Sequence, residues 1–293
     1  MAGSDSAPAR LDAALVRRGL EASRERAKQR ILAGDVLVNG RVRNRPSFPV
    51  RDTDELMCKG EGLAYVGRGG CKLEKAVAGR FDLNGVTALD VGASTGGFTD
   101  CLLRSGAARV YAVDVGHGQL HPSLAADPRV VNLEGTDIRD RQALLRAVPA
   151  ASVSFCAVDV SFISLTAVLP SVLPFLKKGA GLVCLVKPQF EAGRAAVGKR
   201  GVVRDAGTHR RVLAGLCGFF DDCGLSLRSL DYSPITGGDG NIEFLAVLRY
   251  DDRDDRTDDA APEKGEAASA SAVDAVVAAA HRALKGERAC VSY

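Results

Sequence analysis

The sequence contains no tryptophan, and only 5% of its 293 residues are aromatic. A core must therefore be built mainly from aliphatic side chains, and a hydrophobic content of 46% is ample for one large domain or two. No run of eighteen apolar residues is present, so no segment predicts a transmembrane helix. No signal-peptide pattern follows Met1. We expect a cytoplasmic protein without stable membrane association.

Paired cysteine motifs are also missing. The eight cysteines form no C-x-x-C pair, and Cys101, Cys156, Cys184 and Cys217 lie in apolar runs. This pattern predicts buried thiols in a reducing compartment, and it indicates neither a disulfide framework nor a metal site.

Charge is distributed unevenly along the chain. Residues 10–51 hold eleven Lys/Arg and four Asp/Glu, a net charge of +7, although the whole chain carries only +3. A basic segment of this kind is typical of polyanion binding, and a merely solvated face is the alternative. Residues 251–266 carry a net charge of −5, and we predict an acidic flexible linker over 251–270.

The basic segment has a recognisable order of elements. Leu11 and Leu15 mark a first helix that Gly19 ends, and Ser23 is the predicted N-cap of a second helix. Val36–Val38, a turn at Asn39-Gly40 and a short second strand predict a hairpin. The stretch RLDAALVRRGLEASRERAKQRILAGDVLVNG, residues 10–40, resembles the S4 RNA-binding module. The candidate RNA-binding residues are Arg10, Arg17, Arg18, Arg24, Arg26, Lys28, Arg30 and Arg68.

A glycine-rich turn follows the apolar strand predicted at 86–91. The stretch ALDVGASTGGFTD, residues 88–100, lacks the dinucleotide spacing G-x-G-x-x-G and fits the nucleoside-binding loop of a Rossmann-like methyltransferase better. Glycine lets a ligand approach the backbone, and a helix N-terminus favours a carboxylate. The candidate cofactor-binding residues here are Asp90, Gly92, Ser94, Thr95, Gly96, Gly97 and Phe98.

Strands and helices alternate from residue 86 onward. The predicted strands are 86–91, 109–113, 129–133, 153–158, 181–186, 225–232 and 242–249. The predicted helices are 97–105, 119–126, 140–147, 164–176 and 207–222, with a terminal helix near 271–286. This order predicts an α/β fold with a doubly wound, mostly parallel sheet whose last two strands pair antiparallel.

Four apolar strands end on a charged residue, namely Asp90, Asp114, Asp159 and Lys187. Ligands of open α/β sheets bind at the carboxyl ends of the strands. Asp114 is placed to accept hydrogen bonds from a ribose diol. Asp137 is a candidate contact for an adenine amino group, and a loop cap is an equal alternative.

Five signatures together resemble the FtsJ-like methyltransferases, and specifically the TlyA family of S4-containing ribosomal RNA 2′-O-methyltransferases: GASTGGFT (92–99), DVGHGQL (114–120), DVSFISL (159–165), LVKPQFEAG (185–193) and GNIEFL (240–245). The resemblance implies S-adenosylmethionine as cofactor and cytidine ribose in ribosomal RNA, within ribosomal subunits, as substrate. It places a catalytic quartet on Lys72, Asp159, Lys187 and Glu243. The family's usual histidine before the first lysine is Cys71 here, and its usual junction tryptophan is Tyr65.

The chemistry of the quartet agrees with this resemblance. A ribose 2′-hydroxyl is a weak nucleophile and must lose its proton during attack, so a positioned base is needed. We assign that role to Lys187, with the other three residues positioning the amine and the ribose. Phe162 and Ser164 are candidates for shaping the pocket, and Phe162 as plain core is the alternative.

The implied domain boundaries are an S4-like domain at 8–60, a linker at 61–67, a methyltransferase domain at 68–250, the acidic linker at 251–270 and a C-terminal helix at 271–286.

Three other functions are alternatives. A small-molecule or protein methyltransferase does not require the quartet. A catalytically silent RNA-binding or assembly factor is disfavoured by an intact quartet. A haemolysin-like membrane-active protein is disfavoured because the terminal helix is short and alanine-rich.

Overall fold

The computed structural model describes residues 8–21, 23–32, 34–58, 65–193, 196–198, 201–251 and 270–285. The chain divides into two compact units between Arg68 and Gly69. Of the predicted linkers, residues 61–64 and 252–269 lie outside the described residues. Within the described ranges, no helix is long and apolar enough to cross a bilayer.

The first unit is a small α+β fold. Its elements are β1 (Ala9–Arg10), α1 (Leu11–Arg17), α2 (Arg24–Leu32), β2 (Val36–Val38), β3 (Arg41–Val42), β4 (Pro49–Val50) and β5 (Leu56–Cys58). β2 pairs antiparallel with both β3 and β5, and β1 pairs with β4. Leu11, Leu15 and Ile31 are fully buried in its core, as the helical spacing predicts.

Local signals explain how these elements begin and turn. The backbone N–H of Arg26 donates to Ser23 Oγ at 3.3 Å, which supports Ser23 as the predicted cap of α2. The hairpin turn places Asn39 at φ 52° and Gly40 at φ 74°. Asn and Gly tolerate this left-handed conformation, so the Asn-Gly pair forms the tight turn between β2 and β3.

The second unit is built on a seven-stranded sheet. Its strands are β6 (Thr87–Val91), β7 (Arg109–Asp114), β8 (Val130–Glu134), β9 (Val153–Val158), β10 (Leu176–Val186), β11 (Leu225–Tyr232) and β12 (Phe244–Tyr250). Its helices are α3 (Gly69–Val77), α4 (Gly97–Arg104), α5 (Pro122–Ala125), α6 (Arg141–Leu145), α7 (Leu165–Val172), α8 (Pro188–Glu191), α9 (Ala206–Asp222) and α10 (Ala270–Lys285).

The strand order in this sheet is β11-β12-β10-β9-β6-β7-β8. β8, β7, β6, β9 and β10 run parallel, and β12 pairs antiparallel with both β10 and β11. The predicted doubly wound sheet with an antiparallel final pair is therefore confirmed. The chain order reverses between β6 and β9, and such a switch point opens a crevice at the carboxyl ends of the strands.

The predicted terminal helix is α10. Val273, Val276, Val277, Ala280 and Leu284 are buried against the main core, in the spacing that the sequence shows. Arg210 on α9 forms an ion pair with Asp274 at 2.6 Å, and the ring nitrogens of His209 and His281 lie 2.9 Å apart. Both contacts join α10 to α9.

Two predicted helices differ from the structure. The helix expected at 119–126 is only the single turn α5, because the Glu134 carboxylate accepts hydrogen bonds from the backbone N–H groups of Gln119 and Leu120 and holds that segment as a loop. The helix expected at 164–176 ends at Val172 and continues as a 3₁₀ turn at Leu173–Phe175. β10 then begins at Leu176, five residues earlier than predicted.

Candidate active site

Gly92 lies where the backbone of β6 passes closest to the end of β9. Its φ is 86°, and a Cβ placed there would lie 2.9 Å from the carbonyl carbon of Asp159. A side chain at this position would therefore collide with the backbone of the neighbouring strand. Glycine allows the two strands to meet at the switch point and leaves the crevice above them open.

Asp114 connects two of the loops around this crevice. Its Oδ2 accepts a hydrogen bond from the backbone N–H of Ser94 at 2.8 Å, and its Oδ1 accepts one from Gly116 at 2.7 Å. Each carboxylate oxygen has two acceptor sites, so both oxygens can still accept from a hydroxyl. The carboxylate thus holds the glycine turn and remains available to a ribose diol.

A cavity of about 430 Å³ opens at this point, which we call the cofactor cavity. Its lining combines polar groups with an apolar wall made by Val115 and Ile138. The full lining is Val91, Gly92, Ser94, Val113, Asp114, Val115, Gln119, Thr136, Asp137, Ile138, Arg139, Asp159, Val160, Ser161, Phe162, Ile163 and Val168. A carboxylate beside an apolar slot suits a nucleoside, since the ribose needs hydrogen-bond acceptors and the base needs apolar contact.

The structure brings four of the predicted cofactor residues to this cavity: Gly92, Ser94, Asp114 and Asp137. Asp90, Thr95, Gly96, Gly97 and Phe98 do not line it. Gly96 instead precedes α4 at φ 95°, and a Cβ there would contact the side chain of Leu120 at 2.8 Å. Phe98 is buried at 3% exposure. These residues shape the turn and pack α4.

Asp90 corrects the expectation that each strand-end charge faces the ligand. It is fully buried, and its Oδ2 accepts a hydrogen bond from Thr99 Oγ1 at 2.6 Å. Burial raises the pKa of this carboxyl to about 7, although the Thr99 bond opposes the shift. Asp90 therefore connects the end of β6 to the first turn of α4 from beneath the cavity floor.

Asp137 lies in the wall of the cofactor cavity and forms an ion pair with Arg139 at 2.6 Å. Hydrogen bonds from the Arg139 guanidinium lower the pKa of the Asp137 carboxyl. Asp137 also accepts from the backbone N–H of Arg139, so it caps its own loop as well as facing the cavity. Both alternatives left open by the sequence describe part of this geometry.

A second cavity of about 330 Å³, the catalytic cavity, lies beside the first. It is lined by Lys72, Ser161, Phe162, Lys187, Gln189, Phe190, Val197, Gly201, Gly238, Asp239 and Glu243. Ser161 and Phe162 line both cavities, so they form the boundary between them.

The four residues of the predicted quartet form two ion pairs around this boundary. Lys72 Nζ on α3 lies 2.5 Å from Glu243 Oε2, and both side chains are buried. Lys187 Nζ lies 2.6 Å from Asp159 Oδ1 and donates to Ser161 Oγ at 2.8 Å. Each ammonium thus faces one carboxylate, which is the compensation that charges need when they are removed from water.

Glu243 fits its position only because its neighbour is small. A Cβ on Gly237 would lie 2.6 Å from Glu243 Oε1. Backbone bonds close the preceding loop, since Gly237 N–H donates to the carbonyl of Asn241 at 2.9 Å. Gly237 therefore makes room for the carboxylate that pairs with Lys72.

Phe162 is the most exposed large apolar side chain of those described, at 91%. Its φ of 66° is a strained conformation for a bulky residue, and such strain concentrates at functional sites. Its ring centroid lies 5.1 Å from that of Phe190. Phe162 is therefore not core. Ser164 instead caps α7 and donates to Glu191 at 2.6 Å.

Sequence reasoning did not identify Ser161, Gln189, Phe190 or Asp239 as cavity residues. Ser161, Gln189 and Phe190 lie inside the quoted motifs within three residues of Asp159 or Lys187, so adjacency to the quartet was an available signal for these three. The exposure of Phe162 had no such signal, because strand–helix patterns do not report a positive φ.

The candidate RNA-binding residues of the first unit are mostly engaged within that unit. Arg10 and Arg24 pair with Asp12, Arg17 with Asp52, Arg26 with Glu21, and Lys28 with Glu25. Arg18 donates to backbone carbonyls of Arg51, Asp52 and Asp54. Most of these side chains keep part of their surface in solvent, which leaves them accessible to a phosphate.

Arg30 differs from the other helix arginines and corrects the sequence interpretation. It is 5% exposed, and its Nη1 lies 2.6 Å from Glu21 Oε1. A buried ion pair stabilises the packing of α2 and offers nothing to a phosphate. By contrast, none of the described carboxylates pairs with Arg41, Arg43 or Arg45 of the hairpin, and Arg43 stacks on Phe48 with 4.6 Å to the ring centroid.

A doubly wound sheet with a cavity at its switch point is the arrangement in which α/β folds bind nucleotide-like ligands. The match to a methyltransferase family identifies this class here, and its methyl donor is S-adenosylmethionine. The chain belongs to the FtsJ-like methyltransferase family, which it matches over residues 65–250, and it matches the S4 domain over residues 9–56.

Individual relatives agree with this placement. The chain is 42% identical to a Bacillus subtilis protein described as a candidate rRNA methyltransferase, YqxC, over 96% of this chain and 97% of that one. It is 42% identical to the 16S/23S rRNA (cytidine-2′-O)-methyltransferase TlyA of Mycobacterium tuberculosis, over 82% of this chain and 90% of that one. A solved structure from Streptococcus thermophilus, described as a candidate hemolysin, is 41% identical with a TM-score of 0.72, covering 96% of this chain and 98% of that one.

Proposed function

We propose that this protein methylates the ribose 2′-hydroxyl of cytidine in ribosomal RNA, taken within ribosomal subunits in the cytoplasm. The observation that carries the proposal is the shared boundary of the two cavities. Asp159 lines the cofactor cavity while its partner Lys187 lines the catalytic cavity, and Ser161 and Phe162 line both. A hydroxyl held between the two ion pairs would face the methyl donor across this boundary.

In this proposal Lys187 accepts the proton of the hydroxyl. The amine must be neutral before attack, so its own proton leaves first to solvent. As the hydroxyl oxygen bonds to the methyl carbon, the carbon–sulfur bond of the donor would break and leave a neutral thioether, and the hydroxyl proton would move to Lys187 Nζ. The resulting ammonium would form the ion pair with Asp159 that the structure shows. A positioned base of this kind accelerates a reaction by about 10²–10⁴-fold.

Lys72 and Glu243 hold the opposite side of the cavity. Their pair is almost inaccessible to water, with side-chain exposures of 9% and 3%. Such a pair is rigid, and in our proposal it orients the ribose so that its oxygen points at the methyl carbon. S-adenosylmethionine, when bound, supplies that methyl group. Much of the rate enhancement then comes from alignment of the reacting atoms.

The exposed ring of Phe162 supports a nucleic-acid substrate. An apolar ring held out in solvent is unfavourable unless a partner covers it, and nucleobases stack on aromatic side chains with about 1–3 kcal/mol per base. We propose that the base of the target nucleotide stacks on Phe162, which brings its ribose to Lys187.

The first unit supplies affinity in this proposal. Its match to the S4 domain and its net charge of +7 over residues 10–51 support binding to an RNA backbone. The choice of cytidine and of ribosomal RNA rests on the relative from Mycobacterium tuberculosis, whose name states both. The boundaries 8–60 and 68–250 are proposed as the RNA-binding and methyltransferase domains.

The direct test incubates the protein with methyl-labelled S-adenosylmethionine and purified small and large ribosomal subunits, then maps the labelled nucleotide. We expect label on the 2′-oxygen of a cytidine. Lys187→Ala should lower the labelling rate by about 10²–10⁴-fold. Lys177 is an exposed lysine at the amino-terminal end of β10, far from the carboxyl ends of the strands. Lys177→Ala is therefore the matched control and should label normally.

Two outcomes would contradict the proposal. RNA binding without any label in the wild-type protein would favour the catalytically silent assembly factor. Label on a base or on a ribosomal protein would show that the quartet serves a different acceptor.

A further inference from the structure

A third cavity of about 430 Å³ lies between α9 and α10 and shares no lining residue with the two already described. Arg210, His281 and Arg282 line it, together with Ala206, Val277 and Ala278. Its polar lining is cationic, with no carboxylate among these residues. The function proposed above uses none of them.

The surface around this cavity carries unbalanced positive charge. Arg204 and Arg282 are exposed, and no described acid pairs with either. Arg210 forms an ion pair with Asp274 at 2.6 Å, and Arg211 forms a longer one with Asp205 at 3.9 Å. These four arginines, Arg204, Arg210, Arg211 and Arg282, form what we call the α9–α10 basic surface, and among the described residues only Asp205 and Asp274 pair with them.

This surface lies beside the catalytic cavity. Gly201 lines the catalytic cavity and Ala206 lines the third one, so four residues lie between them and five Cα–Cα steps join them. An extended chain of that length spans at most about 18 Å. Asn241 holds the segment in place, because its side chain accepts from Val203 N–H at 2.9 Å and donates to the Gly201 carbonyl at 3.0 Å.

An RNA strand that inserts one ribose into the catalytic cavity carries its neighbouring phosphates across the adjoining protein surface. Guanidinium groups match phosphate oxygens in a bidentate geometry. The large apolar side chains that are exposed in the described residues lie elsewhere, which argues against an apolar protein partner or a bilayer at this face.

We propose that the α9–α10 basic surface binds the phosphate backbone of the RNA next to the methylated nucleotide. The inference rests on the proposed function for the identity of the strand. It assigns to the methyltransferase unit an RNA contact of its own, separate from that of the first unit.

The test compares two triple variants of the full chain across a salt series, with purified ribosomal subunits as the probe. The first is R204Q/R210Q/R282Q. The matched control, R109Q/R146Q/K177Q, removes three exposed cations from the amino-terminal edge of the same sheet. Each lost phosphate contact lowers the slope of log affinity against log salt by about 0.7–0.9. We expect the first variant to lose about 2 slope units and the control to keep the wild-type slope.

Calorimetry with S-adenosylmethionine confirms that each variant is folded, since the substituted residues lie outside the cofactor cavity. If the triple variant does not fold, R282Q alone decides the question, with an expected loss of about 0.7 slope units. Equal slopes in wild type, variant and control, with methylation intact, would contradict RNA binding by the α9–α10 basic surface. The proposed function would then stand unchanged. A reduced slope in the triple variant, together with a wild type that transfers no methyl group, supports RNA binding by this surface and contradicts the proposed function.

Discussion

The cofactor cavity and the catalytic cavity of the methyltransferase unit are adjacent but are built in different ways. The cofactor cavity depends on backbone and on short motifs, with Asp114 holding the N–H groups of Ser94 and Gly116. The catalytic cavity depends on side-chain charges from distant parts of the chain. Lys72 and Glu243, which pair at 2.5 Å, are 171 residues apart in sequence.

Because of this difference, the residues that would bind the cofactor are largely distinct from those that would carry out methyl transfer. A site whose geometry is set mainly by local turns should tolerate loss of Lys187 or Lys72, neither of which lines the cofactor cavity. A site made of paired charges depends on both members of each pair, because an unpaired buried charge is strongly unfavourable. The two cavities should therefore respond differently to substitution, and the following changes test that expectation.

The largest effect is expected from Lys187→Ala. Loss of the proposed proton acceptor should lower the methyl-transfer rate by about 10²–10⁴-fold. The affinity for S-adenosylmethionine should stay close to wild type, because Lys187 does not line the cofactor cavity. Single-turnover labelling and calorimetry measure the two quantities. A parallel loss of cofactor affinity would show that the cavities are not independent.

Lys72→Met should affect stability more than Lys187→Ala does. It leaves Glu243 buried without a partner, and breaking a buried pair in this way costs about 3–5 kcal/mol of unfolding free energy. Asp159, with 20% side-chain exposure, can regain water when Lys187 is removed. Denaturant unfolding measures both. The double variant K72M/E243Q should recover part of the loss, and no recovery would show that the charge of Glu243 is not the cause.

Asp114→Ala should weaken S-adenosylmethionine binding by about 1.5–3 kcal/mol, or roughly 10- to 150-fold, because a charge-assisted hydrogen bond to the ribose is lost. The rate at saturating cofactor should change much less, since the ion pairs are untouched. Asp114→Asn keeps one acceptor oxygen, so its affinity for S-adenosylmethionine should lie between those of the wild type and the alanine variant. Unchanged affinity in the alanine variant would remove Asp114 from the site.

The change with the least expected effect on the site itself is Asp90→Asn, which alters how stability depends on pH. The folded pKa of about 7 is above the unfolded value of about 3.9, so the unfolded state releases its proton first as pH rises. The Asp90 contribution to the unfolding free energy should therefore fall between about pH 4 and 7, by up to about 1.4 kcal/mol per unit.

Asparagine should abolish this contribution while still accepting from Thr99. The difference in stability between wild type and variant isolates Asp90 from the other carboxylates. A difference that does not vary with pH would show that Asp90 is ionised when folded.

Much of this architecture was predictable from local patterns. The strand–helix alternation, the antiparallel β11–β12 pair and the buried stripe of α10 follow from periodicity and loop length. The quartet was reached through motif resemblance, and the structure brings its members into two pairs. Asp90 was misplaced, because the sequence shows that a strand ends on an acid but not which way its side chain points. Arg30 was misplaced for the same reason.

The sequence by itself determined the order of elements, the glycines at the switch point and the chemistry available at each strand end. These properties depend on neighbours within a few residues, where propensity and periodicity act. Only the tertiary structure decided how the charged residues pair, for example Glu243 with Lys72. It also decided that the Phe162 side chain is exposed to solvent while Asp90 is buried. Pairing and burial depend on contacts between segments far apart in the chain, and the free energy of a charge depends on that surrounding medium.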